Sequence, residues 1–149
     1  MNIIIRPGEV ADAQAIADGN VKMAWETEHL QLDPPTVLAG VRAALADAGK
    51  ARYFVAEVDG AVAGQLMLTN EWSDWRNGDI WWIESVYVTQ EHRGRGVFGM
   101  LYRHVAEAAR RERVVGLRLY VEKDNAAAQK IYAKLGMSMT DYLVMEQML

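Results

Sequence analysis

The sequence predicts an α/β domain with a mixed sheet and helices on its faces. Three observations lead there. Apolar residues switch repeatedly between a period of two and a helical period along the chain. Asp59-Gly60 separates two β-branched runs, a strong hairpin signal. A glycine-rich turn, Arg93 to Gly99, stands between a strand pattern and a helix pattern. The 149 residues suit one domain, expected to cover residues 1–149. A composition 51% hydrophobic and 24% charged excludes a disordered chain.

The elements follow in order. Ile3 to Ile5 form a short strand stopped by Pro7-Gly8. Ala13, Ile16, Ala17, Val21 and Ala24 share one helical face from Glu9 onward, with Glu9 and Asp12 at the start, where the helix dipole favours acids. The segment from Trp25 to Leu32 carries no clear pattern. Asp33-Pro34-Pro35 starts a second helix, with Val37, Leu38, Val41 and Leu45 as its stripe and Gly49 as its C-cap. Arg52–Val58 and Ala61–Thr69 are the hairpin strands, followed by a polar loop from Asn70 to Asp79. Ile80–Val88 is a fourth strand, and a third helix runs from about Val97 to Arg113. Leu117–Val121 is a strand, and Asp124-Asn125 opens a helix that ends at Leu135-Gly136. Met137–Thr140 and Tyr142–Met148 read as two closing strands. The order is β-α-α-β-β-β-α-β-α-β-β.

Charge and composition narrow the function. Lys+Arg 16 against Asp+Glu 20 leaves a net charge of -4, which disfavours a nucleic-acid partner. No apolar run reaches a membrane span, and the N-terminal residues lack a secretory pattern, so a cytoplasmic domain is expected. The absence of Cys removes disulfides and cysteine nucleophiles, so no cysteine-linked intermediate is expected. The three His lie on separate elements without ligand spacing, so no metal is expected.

The turn Arg93-Gly94-Arg95-Gly96-Val97-Phe98-Gly99 carries the most chemistry. Glycines let backbone N–H groups approach a pyrophosphate, and the following helix N-terminus adds partial positive charge. The plain alternative is a tight turn. Gly94, Gly96 and Gly99 also satisfy the dinucleotide pattern G-x-G-x-x-G. Five residues separate Val88 from the first glycine, and little chain follows Glu122, so a nicotinamide-binding fold does not fit.

Val86-Tyr-Val-Thr-Gln-Glu-His-Arg-Gly-Arg-Gly-Val97 with Leu101 resembles the acetyl-CoA-binding motif of the GNAT superfamily of N-acetyltransferases. Asn125, Ala128, Tyr132 and Gly136 match the spacing of its second motif, and the element order agrees over nearly the whole chain. The resemblance implies a fold with a splayed central strand pair. It implies that Val86, Tyr87 and Val88 pair with the pantetheine arm, that Arg93, Gly94, Arg95, Gly96, Val97 and Phe98 cradle the pyrophosphate, and that Asn125 bonds the cofactor. Tyr132 would protonate the leaving thiolate. Glu91, Phe98 and Met137 depart from the usual pattern, Phe98 at a place normally held by a small residue.

The expected reaction moves an acetyl group from acetyl-CoA to a primary amine of a small molecule or protein. A non-catalytic acyl-CoA-binding or sensor module is the alternative. An ammonium is mostly charged at neutral pH, so a base is needed. Glu84 is the first candidate, an acid inside an apolar strand, read by alternation as sharing a face with Val86 and Val88. A charge paired with an arginine is its plain reading; Glu26, Glu28 and a water chain are rivals. Val88 N–H is a candidate oxyanion donor. Glu26, Glu28, Trp72 and Trp75 are candidate acceptor contacts, although two tryptophans also suit a pinned loop. The apolar stretch from Tyr142 to Leu149 suits a sheet strand or a homodimer interface.

Overall fold

A computed structural model of the chain describes residues 1–149. It divides into two compact units, Met1–Leu119 and Tyr120–Leu149.

In the first unit, β1 (Ile3–Pro7), β2 (Arg52–Val58), β3 (Ala61–Ser73), β4 (Gly78–Val88) and β5 (Gly116–Leu119) form one sheet in the order β1-β2-β3-β4-β5. The first four strands are antiparallel, and β5 runs parallel to β4. The β2–β3 hairpin turns through Asp59 and Gly60, both at positive φ (50° and 86°), as a type I′ turn requires. The expected polar loop after Thr69 is mostly strand. β3 and β4 stay paired out to Ser73↔Gly78, and only the tip is a turn.

Helix α1 (Ala13–Glu28) follows a single 3-10 turn at Val10–Asp12, and α2 is Pro34–Ala46. The unpatterned segment is therefore helical through Glu28, and His29 closes α1 in the left-handed region at φ 52°. Asp33 caps α2 by accepting from Thr36 N–H, while the helix ends at Asp47, short of Gly49. Helix α3 (Val97–Arg111) closes the β4-to-β5 crossover.

The sheet separates two apolar layers. On one face, Val97, Leu101, Val105 and Ala108 of α3 pack on Phe54, Leu66, Trp81 and Ile83. These helix positions recur at one face of a 3.6-residue period, while Arg110 and Arg111 sit in the last turn, where the dipole favours cations. On the other face, Ile16 and Ala17 of α1 and Val41 of α2 cover Tyr53 and Val55.

An ion network ties the start of α1 to this second layer. The Arg6 guanidinium grips Asp12 with two hydrogen bonds, 2.7 and 3.0 Å, and reaches Glu57 through Nε at 2.8 Å. Asp12 also accepts from Glu9 N–H at 2.7 Å. The Arg6 hydrogen bonds hold the Asp12 carboxyl below its usual range despite burial, and Asp12 and Glu57 together push Arg6 up.

The second unit contains one helix, α4 (Ala126–Lys134). Asn125 caps it by accepting from Ala128 N–H at 3.0 Å. Gly136 at φ 96°, with Met137 N–H bonded to Tyr132 C=O, closes it as a Schellman motif. The two closing strands expected at Met137–Thr140 and Tyr142–Met148 do not form. Apolar β-patterned sequence makes a strand only when a neighbouring strand completes its ladder. No helix of the chain is long and apolar enough to cross a membrane.

Asp12→Ala removes charge-assisted bonds from the partly buried Arg6 and should cost about 2 kcal/mol in urea unfolding. The lowered Asp12 pKa stabilises the fold above its unfolded value of about 3.9, and this contribution is lost as pH falls through the folded value. Urea midpoints should therefore drop below about pH 4 in the native chain, and less steeply in Asp12→Asn.

Candidate functional site

The site begins with an irregularity in β4. Gln65 pairs with Tyr87 but Met67 pairs with Glu84, so two steps along β3 match three along β4. The extra residue is a β-bulge, and Ser85 within it has φ 51°. A non-glycine residue in the left-handed region inside a central strand is held there by its surroundings.

The bulge shifts the alternation. Trp81 and Ile83 face α3, and beyond the bulge Val86 and Val88 pack against the same layer. Glu84 instead lies opposite Met67, which packs against the α1–α2 layer. The expectation that Glu84 shares a face with Val86 and Val88 is thus corrected, because strict alternation does not survive an inserted residue. Glu84 accepts from the Thr69 hydroxyl at 2.8 Å, so its partner is a threonine rather than an arginine. Tyr87 joins Glu84 on the α1 side, against Gly19.

The bulge also marks where the sheet opens. β4–β5 pairing runs from Ile80↔Gly116 to Ile83↔Leu119 and stops, while β4 continues to Val88. Residues 84–88 therefore present a strand edge that β5 does not cover. Val86, Tyr87 and Val88 lie on this stretch of β4.

That edge leads into the glycine turn. Thr89 and His92 side chains bond each other at 2.7 Å across a 3-10 turn, Gln90–His92. Gly94 and Gly96 follow at φ 74° and 77°, conformations that L side chains rarely adopt. A Cβ at either glycine would meet nothing within 4 Å, so the turn faces open space. Gly96 is the N-cap of α3 and no side chain caps the helix, which leaves the first-turn N–H groups for an outside acceptor. The Phe98 ring lies against Tyr102 with centroids 6.2 Å apart, one turn along the helix, while Val97 is buried.

Arg93 and Arg95 diverge. Arg93 ion-pairs with Glu26 of α1, donates from Nε to Val88 C=O at 2.9 Å, and lies 5.4 Å from the Tyr87 ring centre. Its guanidinium is pushed up mainly by the Glu26 hydrogen bond. Arg95 is exposed and reaches the Met1 sulfur at 3.6 Å. Tyr87 is pushed up by burial first and by Glu26 second.

Glu26 thus belongs to the turn through Arg93, and Glu28 is exposed at the end of α1. A small cleft of about 220 Å³ beside this end is lined by Val21, Trp25, Leu30 and Gln31. Trp72 and Trp75 lie away from the glycine turn. They sit 60% and 84% exposed at the tip of the β3–β4 hairpin. That tip is at the opposite end of β4 from the glycine turn, roughly 30 Å away at strand rise. Asn125 and Tyr132 lie in the second unit, Asn125 as the cap of α4. Burial pushes the Tyr132 phenol up. No three acidic or His side chains cluster as metal ligands would.

Sequence reasoning missed three residues. Ser85 carries the bulge, and its signal was a polar pair, Glu84-Ser85, interrupting an apolar strand. Gln65, almost wholly buried in β3, donates to Ile16 C=O at 3.1 Å and to Asn20 at 2.9 Å. Gly19 lets α1 come that close, since a Cβ there would meet Gln65 Oε1 at 2.6 Å.

Comparison with known proteins agrees with this geometry. The family model described as "Acetyltransferase (GNAT) family" matches residues 19–137. Streptothricin acetyltransferase of Escherichia coli is 30% identical over 82 residues, 55% of this chain and 44% of that protein. Mycothiol acetyltransferase of Corynebacterium aurimucosum is 26% identical over 136 residues, 89% of this chain and 45% of that protein. The chain thus spans less than half the length of these curated relatives. A solved structure, described as a possible acetyltransferase from Clostridium difficile 630, is 41% identical with a TM-score of 0.92, covering 100% of this chain and 99% of its own.

The strain at Ser85 is testable by urea unfolding. Ser85→Gly should stay within about 1 kcal/mol of the native chain, whereas the β-branched Ser85→Val should cost about 2 kcal/mol. Equal losses in both would mean that the left-handed conformation is not required.

Proposed function

The chain belongs to the GNAT acetyltransferase family, and from that premise we propose that it transfers an acetyl group directly from acetyl-CoA to a primary amine. The observation that carries this reading is the continuity of the open β4 edge, residues 84–88, with the uncapped glycine turn at α3. An extended amide-bearing arm ending in a diphosphate suits that pair of features: strand-like hydrogen bonding along the edge, then N–H groups and a helix dipole at the turn.

Acetyl-CoA, when bound, supplies an activated thioester. The chain's residues have separate roles. Backbone N–H groups of Gly94 to Phe98 hold the diphosphate, and the edge at Val86, Tyr87 and Val88 orients the arm. Arg93 acts by fixing the turn to Glu26 and Val88 C=O, while Arg95 adds positive charge from the rim. Asn125, its side-chain oxygen engaged by Ala128 N–H, offers its amide hydrogens to the cofactor. Val88 N–H is the candidate donor to the developing oxyanion. Glu84, held by Thr69, receives the amine proton, with Glu26 and Glu28 lining the acceptor approach. Tyr132 gives a proton to the departing sulfur. The phenol is protonated at neutral pH, the form an acid needs.

The names of the curated relatives, streptothricin and mycothiol acetyltransferase, support a small-molecule amine over a protein acceptor. The same reading takes residues 1–149 as one catalytic domain, working in the cytoplasm as a homodimer, without metal or nucleic acid.

Thermal unfolding tests the cofactor first. Saturating acetyl-CoA or CoA, at a hundred times Kd, should stabilise the chain by about 2.7 kcal/mol, a rise of several degrees in Tm, and NAD should not. No shift with acetyl-CoA would end the proposal. Transfer across a panel of amines then separates an enzyme from a non-catalytic binding module. With a good acceptor, Tyr132→Phe should lower kcat about a hundredfold with KM for acetyl-CoA little changed. An unaltered kcat where chemistry is rate-limiting would remove Tyr132 from its role.

A further inference from the structure

Gln65 is a polar exception on the α1 side of the sheet. It is 2% exposed in β3, while Met67, two residues on and on the same face, packs with the apolar α1–α2 layer. A buried amide costs free energy unless its hydrogen bonds are met, and an unbranched apolar residue would fill the same space without that demand. Here one turn of helix meets the demand. Gln65 Nε2 donates to Ile16 C=O at 3.1 Å and to the Asn20 side-chain oxygen at 2.9 Å, two acceptors one turn apart on α1. Apolar contacts are non-directional, whereas hydrogen bonds have an angle and a length. The pair of bonds therefore fixes both the rotation of α1 and its position along β3.

This attachment falls beside the bulge. Gln65 pairs with Tyr87, the last match before the register shifts. Gly19 lies between the two α1 acceptors in sequence and touches both strands. A Cβ there would come within 3.0 Å of Gln65 Cδ and 3.1 Å of Tyr87 Cδ1. Tyr87 is buried, and the Arg93 guanidinium stands 5.4 Å from its ring centre. One chain of contacts thus runs from Gln65 through Gly19 and Tyr87 to the head of the glycine turn.

We infer that Gln65 is a positioning residue for the cofactor site. Its amide seats α1 on β3 at the level of the bulge. Through Gly19 and Tyr87 that seat holds residues 86–88 of β4 in the conformation that receives the cofactor's extended arm. Stability does not account for the amide, because buried polar groups can be exchanged for apolar ones of the same shape at little or no loss. What the exchange forfeits is a unique seating of helix on strand. The inference rests on the acetyl-CoA reading above for its ligand, but the bracing of β4 does not.

Gln65→Met keeps the length of the side chain and removes the amide, so its Tm should stay within about 5 °C of the native chain. Without ligand, amide hydrogen exchange should quicken about tenfold at residues 16–20 and 85–88 and stay unchanged at 80–83 of the same strand. In calorimetric titration its Kd for CoA should rise about tenfold, the change that one net hydrogen bond corresponds to. Asn20→Ala removes one acceptor at a half-buried position and should move both readouts the same way by less; it decides the matter if Gln65→Met does not fold. Unchanged exchange at 85–88, or a uniform rise across the sheet, would overturn the bracing. Faster exchange there with an unchanged Kd for CoA would overturn the positioning role alone. A native chain that does not bind CoA would strike the acetyl-CoA reading and this role with it, so the two failures are told apart by which chain fails.

Discussion

One inserted residue in a central strand organises this molecule. A strand repeats every two residues, so an extra residue at Ser85 exchanges the faces of everything beyond it. It keeps Val86 and Val88 in the α3 layer with Trp81 and Ile83, and leaves Glu84 and Tyr87 toward α1. Bulges bend and twist the strand that holds them, and here β5 stops pairing at the same level, after Ile83↔Leu119. β4 therefore runs past the end of β5, and residues 84–88 keep backbone groups that β5 does not engage.

This end of β4 is braced from the α1 side. Gln65, paired with Tyr87 beside the bulge, is anchored to Ile16 C=O and Asn20, and Gly19 permits that close approach. Two turns further along α1, Glu26 holds Arg93, whose Nε holds Val88 C=O. Helix α1, the end of β4 and the glycine turn are thus one connected network. A charge brought to the turn acts on a region whose arginine is already committed to Glu26. Its attraction comes mainly from N–H groups and the helix dipole rather than from Arg93 as a free cation.

Much of this was legible in the sequence because its causes are local. Helix caps such as Asp33 and Asn125, the Asp59-Gly60 turn and the apolar stripe of α3 declare themselves within a few residues. The glycine turn was legible for the same reason. What was not legible depends on tertiary context. Alternation assigned Glu84 to the wrong face because a bulge is fixed by the register of two strands, not by one. The distance of Trp72 and Trp75 from the glycine turn is likewise tertiary, because β3 and β4 run paired to Ser73↔Gly78. The two closing strands failed because strand-forming residues do not by themselves supply a partner.

The central claim is that the open β4 edge and the uncapped start of α3 form one continuous site for acetyl-CoA. Backbone hydrogen exchange with and without the cofactor tests it most directly, because the claim concerns named N–H groups. The account predicts slowed exchange together at residues 86–88 and 94–99, with β1 and β2 unchanged. Slowing confined to other elements, or binding that leaves both stretches unprotected, would contradict it.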